Sequence, residues 1–257
     1  NSFAFSSNGN PTITRLNGST YTAQRTGLST NDINALLDIY PGPNMIRSKS
    51  GTIDIGVNNT GDIAYLKEER YTVDVYKNDV RIASHRLNKP SCIDITSDGQ
   101  VLTNSSGYSS SSGKYHYKTI DISEGGGSIY CLSNNTKQTN LYKKNGTSWS
   151  LIASNIPASR VTVDLMGRPW VLTSSNIRLY SDNGSFTSIG MPSYSSTWDQ
   201  LTDIGSAGNE IYVSMINLQN TSNKQLLKYS AIGNQLIRQP GSANKLDGAS
   251  NGIVWVN

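Results

Sequence analysis

A short apolar segment, a turn containing glycine and a second apolar segment recur six times along the chain. The copies occupy residues 52–66, 92–104, 119–132, 161–173, 201–214 and 245–257. Their turn glycines, 28 to 44 residues apart, are Gly61, Gly99, Gly127, Gly167, Gly208 and Gly252. A repeat of this length is typical of the blade of a β-propeller, in which each unit buries its apolar faces against its neighbours.

Further strand pairs are predicted between the copies. Hairpin turns are indicated at Asn145-Gly146, Asn183-Gly184 and Gly233-Asn234, each between apolar runs. Each unit then supplies about four short strands, so we predict an all-β, six-bladed propeller of four-stranded blades. The last copy ends after its second strand, and we expect residues 44–50, alone or with residues 11–16, to complete that sheet.

Most copies carry an aspartate in the first apolar segment, and four carry a large ring in the second. The acidic residues are Asp54, Asp94, Asp121, Asp203 and Asp247, whereas the fourth copy has Thr162, with Asp164 closer to its glycine. One catalytic pair does not need five copies, so we interpret the carboxylates as structural acceptors for backbone N–H groups of the inner turns. The rings, expected to pack between blades or else to stack on sugars, are Tyr130, Trp170, Tyr212 and Trp255.

One helix is predicted, over residues 29–40, outside the propeller. Ser29 can cap its start, with Asp32 three residues on, and Pro41 ends it. Its apolar residues fall on one face, at Ile33, Leu36, Leu37 and Tyr40.

Charge and composition exclude several classes of function. The 22 basic and 18 acidic residues leave a net charge of +4 without a basic stripe, so nucleic-acid binding is not expected. No apolar run approaches the length of a membrane span. Cys92 and Cys131 sit in apolar runs, which favours buried thiols over a disulfide. No cofactor is indicated.

The repeat, with VTVDLMGRPWVL at 161–172 as its clearest copy, resembles the tectonin-type β-propeller repeat over residues 45–257. Members of that group include fish-egg and slime-mould lectins, mostly secreted or surface proteins that bind sugars or lipopolysaccharide. The resemblance implies such binding for a domain spanning residues 44–257.

The front of the chain has a second resemblance. FAFSSNGNPTITRL at 3–16 and QRTGLSTNDINALLDIYPG at 24–42 look like the end of an astacin-type zinc metallopeptidase domain, as a strand and a helix within residues 1–43. The zinc-binding HExxHxxGxxH stretch of that family is absent from this chain, whose histidines are His85 and His116. We therefore expect no metal site and no catalytic residue here. The chain would be the carboxy-terminal portion of a larger secreted metallopeptidase, or a descendant that lost the catalytic part.

The expected function is carbohydrate binding by a secreted, lectin-like propeller that targets a metallopeptidase and is not itself an enzyme. Glycans or lipopolysaccharide would be the partners, along with a glycoprotein substrate. Candidate sugar-stacking residues in polar loops and hairpins are Tyr108, Tyr115, Tyr194, Trp198 and Trp149. Two alternatives are a protein-interaction propeller without a sugar site and a fragment whose known activity is that of the parent metalloendopeptidase. Catalysis of the sialidase kind is not favoured, because SDNGSFTS at 181–188 matches its Asp-box poorly.

Overall fold

The computed structural model describes residues 51–112, 115–135, 138–197, 199–249 and 254–256. Almost all regular structure in these ranges is β-strand, and the helical exception is one 3₁₀ turn at Asn104–Ser106. The strands are β1 (Thr52–Val57), β2 (Ile63–Glu68), β3 (Val73–Lys77), β4 (Val80–His85), β5 (Ile93–Ile95), β6 (Val101–Thr103), β7 (Ser110–Ser112), β8 (Tyr115–Gly125), β9 (Ser128–Asn134), β10 (Thr139–Asn145), β11 (Ser148–Ala153), β12 (Arg160–Val163), β13 (Pro169–Leu172), β14 (Asn176–Tyr180), β15 (Phe186–Gly190), β16 (Asp199–Ala207), β17 (Glu210–Asn217), β18 (Asn220–Ser230), β19 (Gln235–Gln239), β20 (Leu246–Gly248) and β21 (Val254–Val256).

The strands form antiparallel sheets whose order follows the chain, as in the blades of a propeller. Three sheets have four strands each, β1-β2-β3-β4, β12-β13-β14-β15 and β16-β17-β18-β19. A fourth sheet has five strands in the order β11-β10-β9-β8-β7, and β5-β6 and β20-β21 are two-stranded. The fold is an all-β propeller with four-stranded blades.

The predicted number of six four-stranded blades is wrong for the described residues, where only four sheets have four or more strands. One reason is the length of β8, which extends over 11 residues. Its first part pairs with β7 and its second part pairs with β9, so β7 joins the sheet of the third repeat and leaves β5-β6 short. The predicted helix and the predicted edge strands at 11–16 and 44–50 lie outside the described residues.

The first strand of each repeat lies at the centre of the fold. Contacts join β1 to β5, β5 to β8, β8 to β12, β12 to β16 and β16 to β20, and β20 also contacts β1. Backbones approach closely here: a Cβ atom built on Gly56 of β1 would lie 2.6 Å from the Cα of Asp94 in β5. Only glycine fits such an approach without movement of the neighbouring strand.

The apolar core fills the spaces between neighbouring sheets. Tyr130 and Trp170 are 1% and 2% exposed and belong to two separate core clusters, as predicted for rings packed between blades. Tyr212 is partly buried against a smaller cluster, and nothing is described for the side chain of Trp255. Within the described ranges, no helix is long and apolar enough to cross a membrane.

Candidate functional site

Three of the repeated aspartates join their strand to the strand of the next repeat. Each accepts a hydrogen bond from a backbone N–H of the neighbouring strand. The donor is the residue just before the repeated position of that strand, and it lies about 40 residues away in the sequence. The bonds run from Ile93 N to Asp54 Oδ2 (2.9 Å), from Val161 N to Asp121 Oδ2 (2.7 Å) and from Leu246 N to Asp203 Oδ2 (2.8 Å).

The two other aspartates reach the neighbouring strand further along its length. Asp94 Oδ2 accepts from Glu124 N at 2.6 Å, and Asp247 Oδ2 accepts from Val57 N at 2.5 Å. The prediction of structural carboxylates that bond backbone N–H groups is therefore confirmed, but their partners belong to the next strand and not to the strand's own turn. Asp164 is the exception, since it accepts from Met166 N and Arg168 N within one turn.

Arg160 brings three of the strands together through its guanidinium group. Its Nε lies 3.3 Å from Asp203 Oδ1, and its Nη1 lies 3.4 Å from Asp121 Oδ1 and 3.9 Å from Asp54 Oδ1. Lys245 adds a second cation, with its Nζ 3.5 Å from Asp54 Oδ1. We call Arg160, Lys245 and the five repeated aspartates the axial cluster.

Carboxylates outnumber cations in the axial cluster, and burial disfavours their charged form. Burial raises the pKa of Asp94 to about 8. It raises the pKa of Asp121 to about 7 and that of Asp203 to about 6, although the positive charge of Arg160 opposes the increase in both. The pKa of Asp247 is also raised well above its usual value, first by burial and then by the charge of Asp94.

A small, partly open cavity of about 20 Å³ lies among the five aspartates and Arg160, and Thr162 also lines it. Thr162 stands where the other repeats have aspartate, and its buried Oγ1 has no hydrogen-bond partner. The short side chain leaves a gap in the ring of carboxylates between β12 and β16.

The geometry of the axial cluster favours a structural role over acid–base chemistry. Each of the five carboxylates accepts a backbone N–H from the neighbouring strand. A general base needs a free lone pair that points toward a substrate. In the ranges that the structure describes, no group of three or more His, Cys, Asp or Glu side chains could hold a metal ion.

Two of the predicted sugar-stacking residues lie against the interior. The rings of Tyr108 and Trp149 both pack, partly buried, on a core cluster that contains Cys92, Cys131 and Tyr142. The Tyr108 ring stacks on that of Tyr142 with 4.0 Å between centroids. Both cysteines are free and buried, as expected for thiols in apolar runs.

Tyr194, another of the predicted sugar-stacking residues, lies at the surface, with 53% of its area exposed. Its loop between β15 and β16 is held by bonds from Ser195 Oγ to Pro192 O (2.7 Å) and from Ser196 N to Asp199 Oδ2 (2.7 Å). Asn217 Nδ2 also donates to Asp199 Oδ1 at 2.9 Å. Trp198 and the side chain of Tyr115 lie outside what the structure describes.

Sequence reasoning missed Arg160 and Lys245. Both lie two residues before the repeated position, Arg160 before Thr162 and Lys245 before Asp247. The signal that could have revealed Arg160 is a basic residue at the start of a buried strand. That strand belongs to the repeat that has Thr162 in place of the repeated aspartate.

Comparisons with known proteins support the fold. No protein-family model matches the chain, and no curated protein matches it. Virginiamycin B lyase from Staphylococcus aureus is similar in structure, with a TM-score of 0.52 and 16% identity over 83% of this chain and 80% of that chain. A catalytically inactive variant of that lyase with quinupristin gives a TM-score of 0.52 and 15% identity over the same shares. The extracellular domain of a hybrid two-component system from B. thetaiotaomicron gives 0.51 and 11% identity, over 82% of this chain and 31% of that one. At these identities, the likeness establishes the propeller fold alone.

Proposed function

We propose that this chain is a non-catalytic, lectin-like propeller that binds carbohydrate, and that the loop carrying Tyr194 takes part in the binding. The observation that carries the proposal is an exposed tyrosine ring on a loop fixed by its own hydrogen bonds. A rigid aromatic face can stack on a sugar ring at little entropic cost, and adjacent polar groups can bond hydroxyls. Ser196 and Asp199, near Tyr194 in the sequence, and Asn217, which is bonded to both, supply such groups.

The state of the axial cluster supports a binding role over an enzymatic one. Its carboxylates are engaged with backbone N–H groups, and Arg160 is engaged with three of them. A carboxylate that turned toward a substrate would lose its bond to the neighbouring strand, at a cost in the stability of the fold.

The proposal includes two statements about the whole protein. The resemblance to tectonin-type lectins supports secretion and glycan or lipopolysaccharide partners. The resemblance of residues 1–43 to an astacin-type domain supports a targeting role beside a metallopeptidase, with a glycoprotein as its substrate.

The test is a glycan array with a parallel titration of lipopolysaccharide, using the full chain and the variant Tyr194→Ala. We expect Tyr194→Ala to weaken binding by roughly tenfold, because one aromatic contact contributes about 0.5–1.5 kcal/mol beyond its buried area. The matched control is Tyr71→Ala, at a tyrosine that is 61% exposed and carries Arg70 over its ring. Absence of binding in both assays, or equal losses in the two variants, would contradict the proposal.

A protein-interaction propeller without a sugar site is the second candidate. The edge strand β4 exposes Val80 (63%) and Ile82 (52%), and exposed apolar groups on an edge strand can bind another polypeptide. This candidate predicts a partner whose binding survives removal of its glycans and is lost in the double variant Val80→Ser, Ile82→Ser.

A further inference from the structure

The hairpin turn between β14 and β15 carries the sequence Asn183-Gly184-Ser185, which is an acceptor motif for N-linked glycans. Asn183 is exposed, and its Oδ1 accepts the backbone N–H of Ser185 at 3.0 Å and the Ser185 hydroxyl at 2.7 Å. Within the described ranges, its Nδ2 donates to no other side chain or carbonyl group. The carboxamide is therefore held by its oxygen, and its nitrogen, the atom to which a glycan is joined, remains available.

The turn itself is anchored on the neighbouring sheet. Asp182 accepts the hydroxyl of Tyr130 at 2.9 Å and pairs with Lys143 Nζ at 2.7 Å. On the same side, a Cβ atom built on Gly184 would lie 2.6 Å from the carbonyl oxygen of Ile152 in β11. The backbone that carries the acceptor carboxamide is thus fixed from one side, while the carboxamide belongs to an exposed residue.

Four further acceptor motifs lie wholly within the described ranges, and each lacks one of these features. They begin at Asn58, Asn104, Asn145 and Asn220. Asn104 is engaged at both ends of its carboxamide, and Asn145 donates through its Nδ2 to Ser150 Oγ at 2.7 Å. In the described part of the chain, Asn220 accepts the N–H of Ser222 at 3.2 Å but not its hydroxyl. Among these five motifs, Asn183 combines exposure, a bonded hydroxyl and an unengaged nitrogen.

Asn58 is the informative contrast, because it forms the same turn in a buried position. Its Oδ1 accepts the N–H of Thr60 at 3.1 Å and the Thr60 hydroxyl at 2.8 Å. However, Asn58 is only 3% exposed, and its Nδ2 donates at 3.0 Å to the carbonyl oxygen of Thr96 in the next repeat. A glycan on this nitrogen would break that bond and would need space that the fold does not provide.

We propose that Asn183 is an acceptor for an N-linked glycan, with a lipid-diphosphate-linked oligosaccharide as the donor and an oligosaccharyltransferase as the enzyme. In the transfer, Nδ2 forms a bond to C1 of the first sugar while the bond from C1 to the diphosphate oxygen breaks. The lipid diphosphate leaves with that electron pair, and Nδ2 gives up one proton to a base of the transferase. The inference rests on the proposed secretion of the chain, because such transferases act on the secretory route.

A glycan at this turn would leave the proposed sugar-binding loop uncovered. Asn183 precedes β15 (Phe186–Gly190), and Tyr194 follows the same strand. A strand of five residues spans about 16 Å, so the two side chains belong to opposite ends of the sheet. The modified chain should therefore bind the same sugars as the unmodified one.

The experiment is a cell-free transfer reaction with purified oligosaccharyltransferase, its lipid-linked donor and the folded full chain, which requires no secretion. Glycopeptide mass spectrometry measures the occupancy of each motif. We expect occupancy at Asn183 to exceed that at Asn58 by at least about tenfold, because Asn58 can react only after local opening. A tryptic digest of the same chain serves as unstructured acceptor, in which we expect both motifs to be modified.

Two variants assign the signal to the motif. Asn183→Gln should lose one glycan from the folded chain. Ser185→Ala keeps the acceptor nitrogen and the Ser185 backbone N–H bond but removes the hydroxyl, and it should also lose this glycan. Ser185 is exposed, so neither change should unfold the chain, which a urea melt checks.

Two results would overturn the proposal. One is absence of transfer to Asn183 in the folded chain, whether or not the digest is modified. The other is equal occupancy of Asn58 and Asn183 in the folded chain, because the fold would then not select the acceptor. Sugar binding by the Tyr194 loop is measured separately on the glycan array, so failure of that function is distinguishable from failure of the transfer.

Discussion

Replacing Arg160 with methionine should destabilise this propeller more than any other single removal of a charge. Methionine keeps most of the length of the side chain and removes the guanidinium. The three carboxylates at 3.3, 3.4 and 3.9 Å would then remain buried with Lys245 as the cation that contacts Asp54.

The magnitude follows from the contacts. At an effective dielectric constant of about 20, each contact near 3.4 Å contributes about 5 kcal/mol of gross attraction. Desolvation of the arginine removes several kcal/mol of that sum, and measured losses on breaking buried pairs are about 3–5 kcal/mol. We expect a loss of about 3–5 kcal/mol in the free energy of unfolding at pH 8.

The loss should be smaller at pH 5. Asp121 and Asp203 have pKa values raised by burial to about 7 and about 6, so both are largely protonated at pH 5 and need the cation less. Urea denaturation at the two pH values measures the difference. Arg81→Met is the control, since Arg81 is 61% exposed in its pair with Asp74 and should cost under about 1 kcal/mol. A loss below about 1 kcal/mol at pH 8, or a larger loss at pH 5, would refute the role we give Arg160.

Three further tests concern the interior of the fold. Gly56→Ala should lower the stability by about 1–3 kcal/mol in a thermal or urea melt, because its Cβ would meet the backbone of β5. The control is Gly190→Ala, which has open space around it and should change the stability by less than about 0.5 kcal/mol. Thr162→Val removes a buried hydroxyl without a partner and should raise stability by about 1 kcal/mol; a decrease would mean that the hydroxyl is bonded. Burial raises the pKa of Cys92, and it raises the pKa of Cys131 to about 11. A thiol reagent should therefore label both cysteines only after denaturation. Labelling of the native chain would contradict their buried placement.

The hairpins could be predicted from the sequence because their signal is local. Gly146 and Thr147 connect β10 to β11 directly after Asn145, and Gly146 has the positive φ of 60° that the turn requires. Gly184 and Asn234, at the other two predicted hairpins, also have positive φ values, 81° and 49°. The period of the turn glycines then indicated a repeated sheet, since such units bury their faces only by stacking.

What could not be predicted depends on contacts between distant residues. The repeated aspartates were recognisable as backbone acceptors, but nothing local shows that Asp121 bonds Val161 N, 40 residues away. Tyr108 lies in SSGYSSSSG, whose composition is typical of an exposed loop, yet its ring is covered by Tyr142 of β10. Polarity along the chain says little about which distant strand packs over a side chain.

In the fourth repeat, the presence of Arg160 and the absence of an aspartate at Thr162 depend on each other. A sixth aspartate in place of Thr162 would face the strands that carry Asp121 and Asp203, whose carboxylates already share Arg160. Like charges on neighbouring strands repel strongly in a partly buried space. The extra carboxylate would therefore weaken the ion pairs that Arg160 forms with Asp121 and Asp203. The repeat that contributes the arginine is therefore the one that can least accept a carboxylate. By this reasoning Thr162→Asp should be tolerated in mild acid, where the new carboxyl group can remain protonated, and should destabilise the fold at pH 8. Urea melts at the two pH values would measure the difference. Equal stability at both pH values would show that charge does not exclude a carboxylate from the position beside Arg160.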